Sequence, residues 1–169
     1  MVNLQQPGTT SAEERIAGLG IDIPPAPEPL GGYTETVQSG NLLFITGTIP
    51  TVKGKPEYVG VLGKDLDFVD GVKAARLAAL NALAAARQHL GSLDRVARVL
   101  KTEVYLVTTG DFIAHQPKIA DGASELLLEI FGGRGLSVRK IMGVSSIPLR
   151  VPLMVELLME VEETPDVRP

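Results

Sequence analysis

The stretch YTETVQSGNLLFIT, Tyr33 to Thr46, decides how this chain is read. Its first half, Tyr33 to Ser39, alternates along a period of two, and its second half, Leu42 to Thr46, is apolar and rich in strand-forming residues. Gly40-Asn41 lies between them. Both residue types tolerate the positive φ of a two-residue connection, so the pattern predicts a β-hairpin. Gly47 and Pro50 close the second strand, and Lys53-Gly54-Lys55-Pro56 marks another turn before a short strand expected over Glu57 to Val61.

Downstream, Asp67 and Asp70 open a long helix expected over Phe68 to Leu90. Val72, Ala75, Ala79, Ala82 and Ala86 fall three and four apart on its apolar face, Leu77, Leu80 and Leu83 widen that face, and Gly91 is placed to cap it. Small side chains there let the helix lie close against a sheet. A strand is expected over Val99 to Val107. A second helical region begins at Asp111, is divided by Pro117, and resumes over Ala123 to Phe131 before Gly132-Gly-Arg-Gly135 ends it. Strands over Val138 to Ile147 and Leu153 to Val161, joined by a turn from Pro148 to Pro152, finish the pattern. The order is β-β-(β)-α-β-α-β-β. It predicts an α+β fold, a mixed β-sheet with two helices packed on one face. No spare element is left to cover the other face, so oligomerisation through it is expected.

Upstream of the hairpin, Ser11 and Glu14 have the spacing of a capping box, which predicts a helix over Ala12 to Leu19, stopped by Gly20. Four prolines within the seven positions 23–29 then favour an extended connector. The chain thus divides into an N-terminal helix and Pro-rich extension (1–30), a main domain (31–162) and a flexible acidic tail (163–169).

Composition removes several classes of function. The 169 residues carry 16 Lys+Arg and 20 Asp+Glu, a net charge of −4, and no Cys, so disulfides, thiolate nucleophiles and cysteine-held metals are excluded. Two histidines, His89 and His115, do not make a His-rich metal site, and neither metal nor cofactor is expected. With no Trp, three Tyr, four Phe and an acidic balance, the chain lacks a stacking platform for nucleic acid. The apolar run Ala74 to Ala86 is interrupted by Arg76 and Asn81 and is too short to span a bilayer. The N-terminus has no signal-peptide pattern, so a cytoplasmic location is expected.

Gly132 to Gly135 superficially resembles a phosphate loop, but it follows a helix instead of opening one and reads as a C-cap turn. His115 has two readings: a general acid or base, or a loop histidine bonded to backbone. Arg139 sits in an apolar strand whose next nine residues contain one other charge, Lys140. Its guanidinium cannot lose its proton, so it needs a partner, and the fork suits a carboxylate. That partner is either structural, Glu103 or Glu156 on a neighbouring strand, or a carboxylate substrate.

Gly31-Gly-Tyr33, Ser39-Gly-Asn41, Thr46-Gly-Thr-Ile-Pro50, Lys101-Thr-Glu-Val104, and Arg139 followed nine positions later by Pro148 together resemble the RidA (YjgF) family. These are reactive-intermediate imine deaminases, also labelled endoribonuclease L-PSP, and the likeness runs from Gly31 to Glu162. The resemblance implies a chorismate-mutase-like fold assembled as a homotrimer, a trimeric barrel with the strands inside, the helices outside and three clefts between subunits. It implies that Arg139 grips the carboxylate of a 2-imino or 2-keto acid, that Tyr33 walls the cleft, that Thr46 and Gly47 present donors, and that Gln116 supplies an amide. It also brings departures. Met154 stands where deaminating members carry a water-orienting glutamate, and Ile141 where a cysteine is common. Glu156 shares the face of Met154 about 7 Å further along the strand, so Glu156 and His115 are the candidates to replace the missing acid. The N-terminal helix and Ile119 to Ser124 look like additions to the family pattern. The implied function is cofactor-free hydrolysis of 2-imino acids to 2-keto acids and ammonia. The alternative is a non-catalytic protein that binds or senses small carboxylates. A third reading, endoribonuclease, comes from the family label alone, against the acidic charge.

Overall fold

In a computed structural model that describes residues 10–162, the hairpin forms around Gly40, whose φ of 59° is the left-handed turn its neighbours require. Strand β1 (Thr36–Ser39) pairs antiparallel with β2 (Leu42–Thr48) from Thr36 opposite Ile45 to Ser39 opposite Leu42. A two-stranded ribbon follows, β3 (Thr51–Val52) with β4 (Lys55–Pro56). This corrects the expected strand over Glu57 to Val61. Lys53 and Gly54 both adopt positive φ, 50° and 75°, so the chain reverses there and pairs immediately, and the Glu57 amide donates to the Pro50 carbonyl instead of starting a new strand.

Helix α1 (Ala12–Leu19) has the expected bounds: the Ser11 hydroxyl accepts from the Glu14 amide, the Glu14 carboxylate accepts from the Ser11 amide, and Gly20 ends the helix in the left-handed conformation. Asp67 and Asp70 make the same reciprocal pair ahead of α2 (Phe68–Leu90), which Gly91 caps. Strand β5 (Val96–Leu106) starts earlier than expected. Helix α3 (Gln116–Phe131) is continuous, which corrects the division at Pro117. Proline occupies the first turn, where its missing N–H breaks no helical hydrogen bond, and the preceding residues Gly110–His115 form a 3₁₀ turn. Gly132 to Gly135 is the turn that ends α3, as expected. Strand β6 (Val138–Gly143) stops short of Ile147, which instead buries its side chain with Val107 and Val151. Strand β7 (Leu153–Val161) has the expected bounds.

The five-stranded sheet has the order β1-β2-β7-β5-β6, with β5 and β6 parallel and the other pairs antiparallel. Helices α2 and α3 cover one face. Ala74, Ala75, Ala78, Ala79, Ala82 and Ala86 of α2 are fully buried, and a Cβ placed on Gly122 of α3 would sit 2.2 Å from the Val72 carbonyl oxygen. The two helices therefore approach backbone to backbone at Gly122, which only a residue without a side chain permits.

Strand β7 shows the two-sidedness. Leu153, Val155, Leu157, Met159 and Val161 point into the helix-covered core, while Met154, Glu156, Leu158 and Glu160 point the other way. On that second face Phe44, Leu158, Lys101 and Val138 lie side by side, then Glu156, Glu103 and Lys140, then Met154, Tyr105 and Met142. Phe44 is 47 % and Val138 70 % exposed, so the described residues leave this face open. Among them, no helix is long and apolar enough to cross a membrane. The tail 163–169 and the start of the chain, on which the flexible-tail and signal-peptide readings rest, lie outside the described residues.

Candidate functional site

Arg139 stands opposite Thr102 on the edge strand β6, and with Ile141 it faces the helices. Its Nη1 donates to Asp121 Oδ1 at 2.7 Å and to the Ser124 hydroxyl at 3.2 Å. The structural partner is therefore on α3, not Glu103 or Glu156 as the neighbouring-strand reading expected. Glu103 sits opposite Lys140, and so on the other side of the sheet. The Arg139 hydrogen bond, with help from Lys118, holds the Asp121 carboxyl below the usual aspartate range against the opposing effect of burial. Both Arg139 contacts use Nη1. Among the described residues Nη2 and Nε have no partner, and the side chain remains 26 % exposed.

Gln116, at the start of α3, is buried and donates from Nε2 to the Thr108 hydroxyl at 2.9 Å. The same Nε2 lies 3.1 Å from where a Cβ on Gly143 would stand, so Gln116 closes the end of β6 whose middle carries Arg139. His115 is exposed and packs against the rings of Phe112 and Phe68, centroids 4.6 and 5.8 Å away. Its contacts are aromatic, which corrects the reading of a histidine bonded to backbone.

Tyr33, Thr46 and Gly47 are at the opposite edge of the sheet. Tyr33 and Gly47 line a cavity of about 730 Å³ whose outer wall is the Pro-rich connector, Pro24 to Leu30, and whose inner wall includes Asn81 of α2. Asn81 donates from Nδ2 to the carbonyls of Ile49 and Thr51, at 2.9 and 3.0 Å, and so fixes the turn between β2 and β3. The Leu30 amide donates to the Tyr33 hydroxyl at 3.2 Å and ties the connector to the wall. The Thr46 amide is committed to the Glu35 carbonyl at 2.9 Å, leaving the Thr46 hydroxyl as the donor of that residue. Gly47 falls in an irregularity of the β2–β7 register, and a Cβ there would stand 2.3 Å from Met154 Sδ. Met154 thus buttresses the step from beneath.

Two acidic residues near this step have carboxyls pushed above the ordinary glutamate range. Glu35 lines the cavity, and burial raises it while a hydrogen bond from Tyr33 pulls the other way. Glu156, on the open face, is raised by burial and then by the charge of Glu103 opposite it. Glu103 itself is held low by Lys101, 2.7 Å away, and by Lys140, 3.4 Å away, despite its burial, and it accepts a hydrogen bond from the Tyr105 hydroxyl. Burial and Glu103 push the Tyr105 hydroxyl up.

Within one subunit these groups do not converge. Between β2 and β6 lie β7 and β5, three strand spacings or about 14 Å, and Arg139 and Glu156 occupy opposite faces of the sheet. Asp121, Ser124 and Glu35 were missed by sequence reasoning. The signals for them were the three-residue spacing of Asp121 and Ser124 on one helix face and the two-residue spacing of Tyr33 and Glu35 along an extended segment. Among the described residues no group of three or more His, Cys, Asp or Glu side chains is arranged to hold a metal ion.

A family model described as "YjgF/chorismate_mutase-like, putative endoribonuclease" matches residues 13–161. Protein TCP17 of Trypanosoma cruzi is 36 % identical over 143 residues, which cover 84 % of this chain and 89 % of that protein. The crystal structure of a putative endoribonuclease from Shewanella oneidensis superposes with a TM-score of 0.85 at 37 % identity, covering 89 % of this chain and 99 % of the other. Escherichia coli TdcF, solved with bound serine, shares the fold at 22 % identity and a TM-score of 0.60, covering 81 % and 94 %.

Proposed function

The chain belongs to the YjgF/chorismate-mutase-like family, and from that premise we propose that it is an imine deaminase working in a cleft between subunits of a homotrimer. Its substrate class is the 2-imino acid, and the reaction adds water across C=N to give a 2-keto acid and ammonia. The observation that carries this reading is Arg139. It is a partly exposed guanidinium on an edge strand, oriented through Nη1 by Asp121 and Ser124 with its remaining donors unengaged, as a carboxylate-binding fork would be.

The rest of the machinery follows from the separation of the two edges. Arg139 and Gln116 of one subunit hold the carboxylate end, and Tyr33, Thr46 and Gly47 of the next wall the imine end. Binding in that geometry supplies most of the rate by orientation. The imine nitrogen takes a proton, water adds to the electrophilic C2, and the resulting carbinolamine expels ammonia as its hydroxyl loses a proton. Glu156 is the acid assigned to hold the water, since a carboxyl with a raised pKa keeps a transferable proton nearer neutral pH; Glu35, on the cavity side of Gly47, is the second acid in reach of that step. Serine, bound to TdcF, carries the same α-carboxylate that a 2-imino acid would present. No cofactor is called for, because the imine is already electrophilic.

Ammonia release from freshly generated 2-iminobutanoate tests the reading. Arg139→Ala is expected to abolish turnover while leaving the assembly intact, and undiminished release would refute the role of Arg139. One observation favours a second reading. Met154 is packed against Gly47, and by the family resemblance it stands where the water-orienting acid would, which fits a protein that binds small carboxylates without hydrolysing imines. Calorimetric binding of 2-ketobutyrate with no ammonia release from the imine would establish it.

A further inference from the structure

A second recess, of about 540 Å³, lies where the start of β5 meets the turn after α3, and three arginines from three separate elements line it: Arg15 of α1, Arg98 of β5 and Arg134 of the glycine turn. In this acidic chain other arginines are matched to acids, Arg76 to Glu129 and Arg87 to Glu13. Among the described residues Arg15, Arg98 and Arg134 have no carboxylate within ion-pair distance. Glu160 is the one acid in the lining, directly opposite Arg98 in the β5–β7 register, and its carboxylate accepts from the Asn41 amide at 3.2 Å.

One of those charges is held in place by the backbone, and the floor beneath them is open. Arg134 donates from Nη1 to the Val96 carbonyl at 2.9 Å, which fixes its guanidinium. Gly132, at a φ of 59°, leaves room for Arg15, whose Nη2 would lie 3.4 Å from a Cβ at that position, and a Cβ on Gly133 would meet nothing within 4 Å. The floor is therefore bare backbone, open to close approach. Three guanidinium charges against one carboxylate leave a local excess of two positive charges. That matches a phosphomonoester, which carries about −1.5 to −2 at neutral pH, better than a monocarboxylate.

We propose that this recess binds the phosphate group of a small phosphomonoester, or free phosphate. It lies at the Glu160 end of β7, about 20 Å along the strand from Met154 and Gly47. It is thus separate from the cleft assigned above and does not depend on that reading.

Calorimetry at low ionic strength, with inorganic phosphate, glycerol 3-phosphate, acetate and a short single-stranded RNA as probes, tests the proposal. One saturable site per chain is expected for the two phosphate probes and none for acetate, with glycerol 3-phosphate the tighter if an ester is the occupant and inorganic phosphate if it is the free ion. Arg98→Gln is expected to weaken binding about tenfold or more, while Lys73→Gln, the same charge change at an exposed position on α2, leaves it unaltered. Arg98 is chosen because, unlike Arg134, it holds no backbone group, and circular dichroism checks that the variant is folded. Equal losses in both variants, no saturable phosphate binding, or RNA binding tighter than either phosphate probe would overturn the proposal.

Discussion

Because the two halves of the proposed cleft lie on opposite edges of one sheet, two different inactive variants should restore activity when mixed. The first perturbation is Arg139→Ala. It removes a bidentate pair of charge-assisted hydrogen bonds, each worth about 1.5–3 kcal/mol, so kcat/KM should fall by about 10²- to 10⁴-fold. The second strips the opposite wall with Tyr33→Ala and Glu35→Gln together. A four-carbon imino acid is about 5 Å long at ordinary bond lengths, and it cannot bridge the about 14 Å between β2 and β6 of one subunit. A working site must then take Arg139 from one subunit and the wall from its neighbour. In randomly mixed closed rings, a site has both intact halves whenever its arginine donor is the wall variant and its wall donor is the arginine variant, which is about a quarter of the sites. The assay is ammonia release from 2-iminobutanoate by co-expressed, doubly tagged oligomers, compared with each parent alone. Because the two tags select mixed rings, and a mixed ring of three has both intact halves at one of its three sites, recovery to about a third of the wild-type rate is expected. Mixed oligomers confirmed by tag recovery, yet no more active than their parents, would refute the claim that the two edges meet between subunits.

Three further outcomes follow from single contacts. Glu156 has a raised pKa, so its stabilising contribution is fully present below the unfolded value near 4.5 and is lost as pH rises through the folded value; Glu156→Gln should raise Tm at pH 7 and lose that gain as pH falls below about 4.5, and a lower Tm at pH 7 would contradict the burial argument. Asp121 is held low chiefly by Arg139, so an NMR titration of Arg139→Ala should show the Asp121 carboxyl moving up toward the ordinary value of 3.8, and no movement would assign the effect to Lys118 instead. Gly47 and Gly122 both leave no room for a Cβ, but Gly47 faces the flexible Met154 side chain and Gly122 a fixed backbone carbonyl. Urea denaturation should therefore show a cost of about 1–3 kcal/mol for Gly47→Ala, largely relieved by adding Met154→Ala, and an unrelieved cost for Gly122→Ala.

The local rules wrote themselves plainly into this chain. Ser11 with Glu14 and Asp67 with Asp70 are reciprocal caps whose partners lie three residues apart, so α1 and α2 were legible to the residue, and β7 was legible as the apolar-rich run after the Pro148 to Pro152 turn. What escaped depended on contacts between distant segments. Pro117 breaks a helix or begins one according to where the hydrogen-bonding ladder starts, and the 3₁₀ turn from Gly110 to His115 sets that point. The partner of Arg139 turned on the parity of the parallel β5–β6 register, a quantity fixed by the crossover through α3 rather than by either strand. With Thr102 opposite it, Arg139 faces α3 and meets Asp121 and Ser124, within a segment that had looked like a mere addition to the family pattern.

The same separation of levels governs the site. Tyr33, Gly47 and Arg139 could each be picked from their motifs, but their relation is set by sheet order, which places them at opposite edges. The open face carries this argument one step further. Phe44, Val37, Val138 and Met142 are exposed apolar side chains on or beside it, and burying them against a second subunit is favourable at about 25 cal/mol per Å². That burial also takes the row Glu156, Glu103 and Lys140 out of water. Glu103 enters with Lys101 and Lys140 already beside it, so its charge is compensated before assembly. Glu156 has no cation within ion-pair distance among the described residues and faces Glu103 directly. In the proposed assembly, further loss of water and the like charge of Glu103 both raise its carboxyl, while Lys101 and Lys140 pull the other way. The proposed interface would therefore both complete the cleft and favour the protonated form of Glu156 further. The proposed hydrolysis should for that reason be lost on dilution to separated subunits before the fold itself is lost.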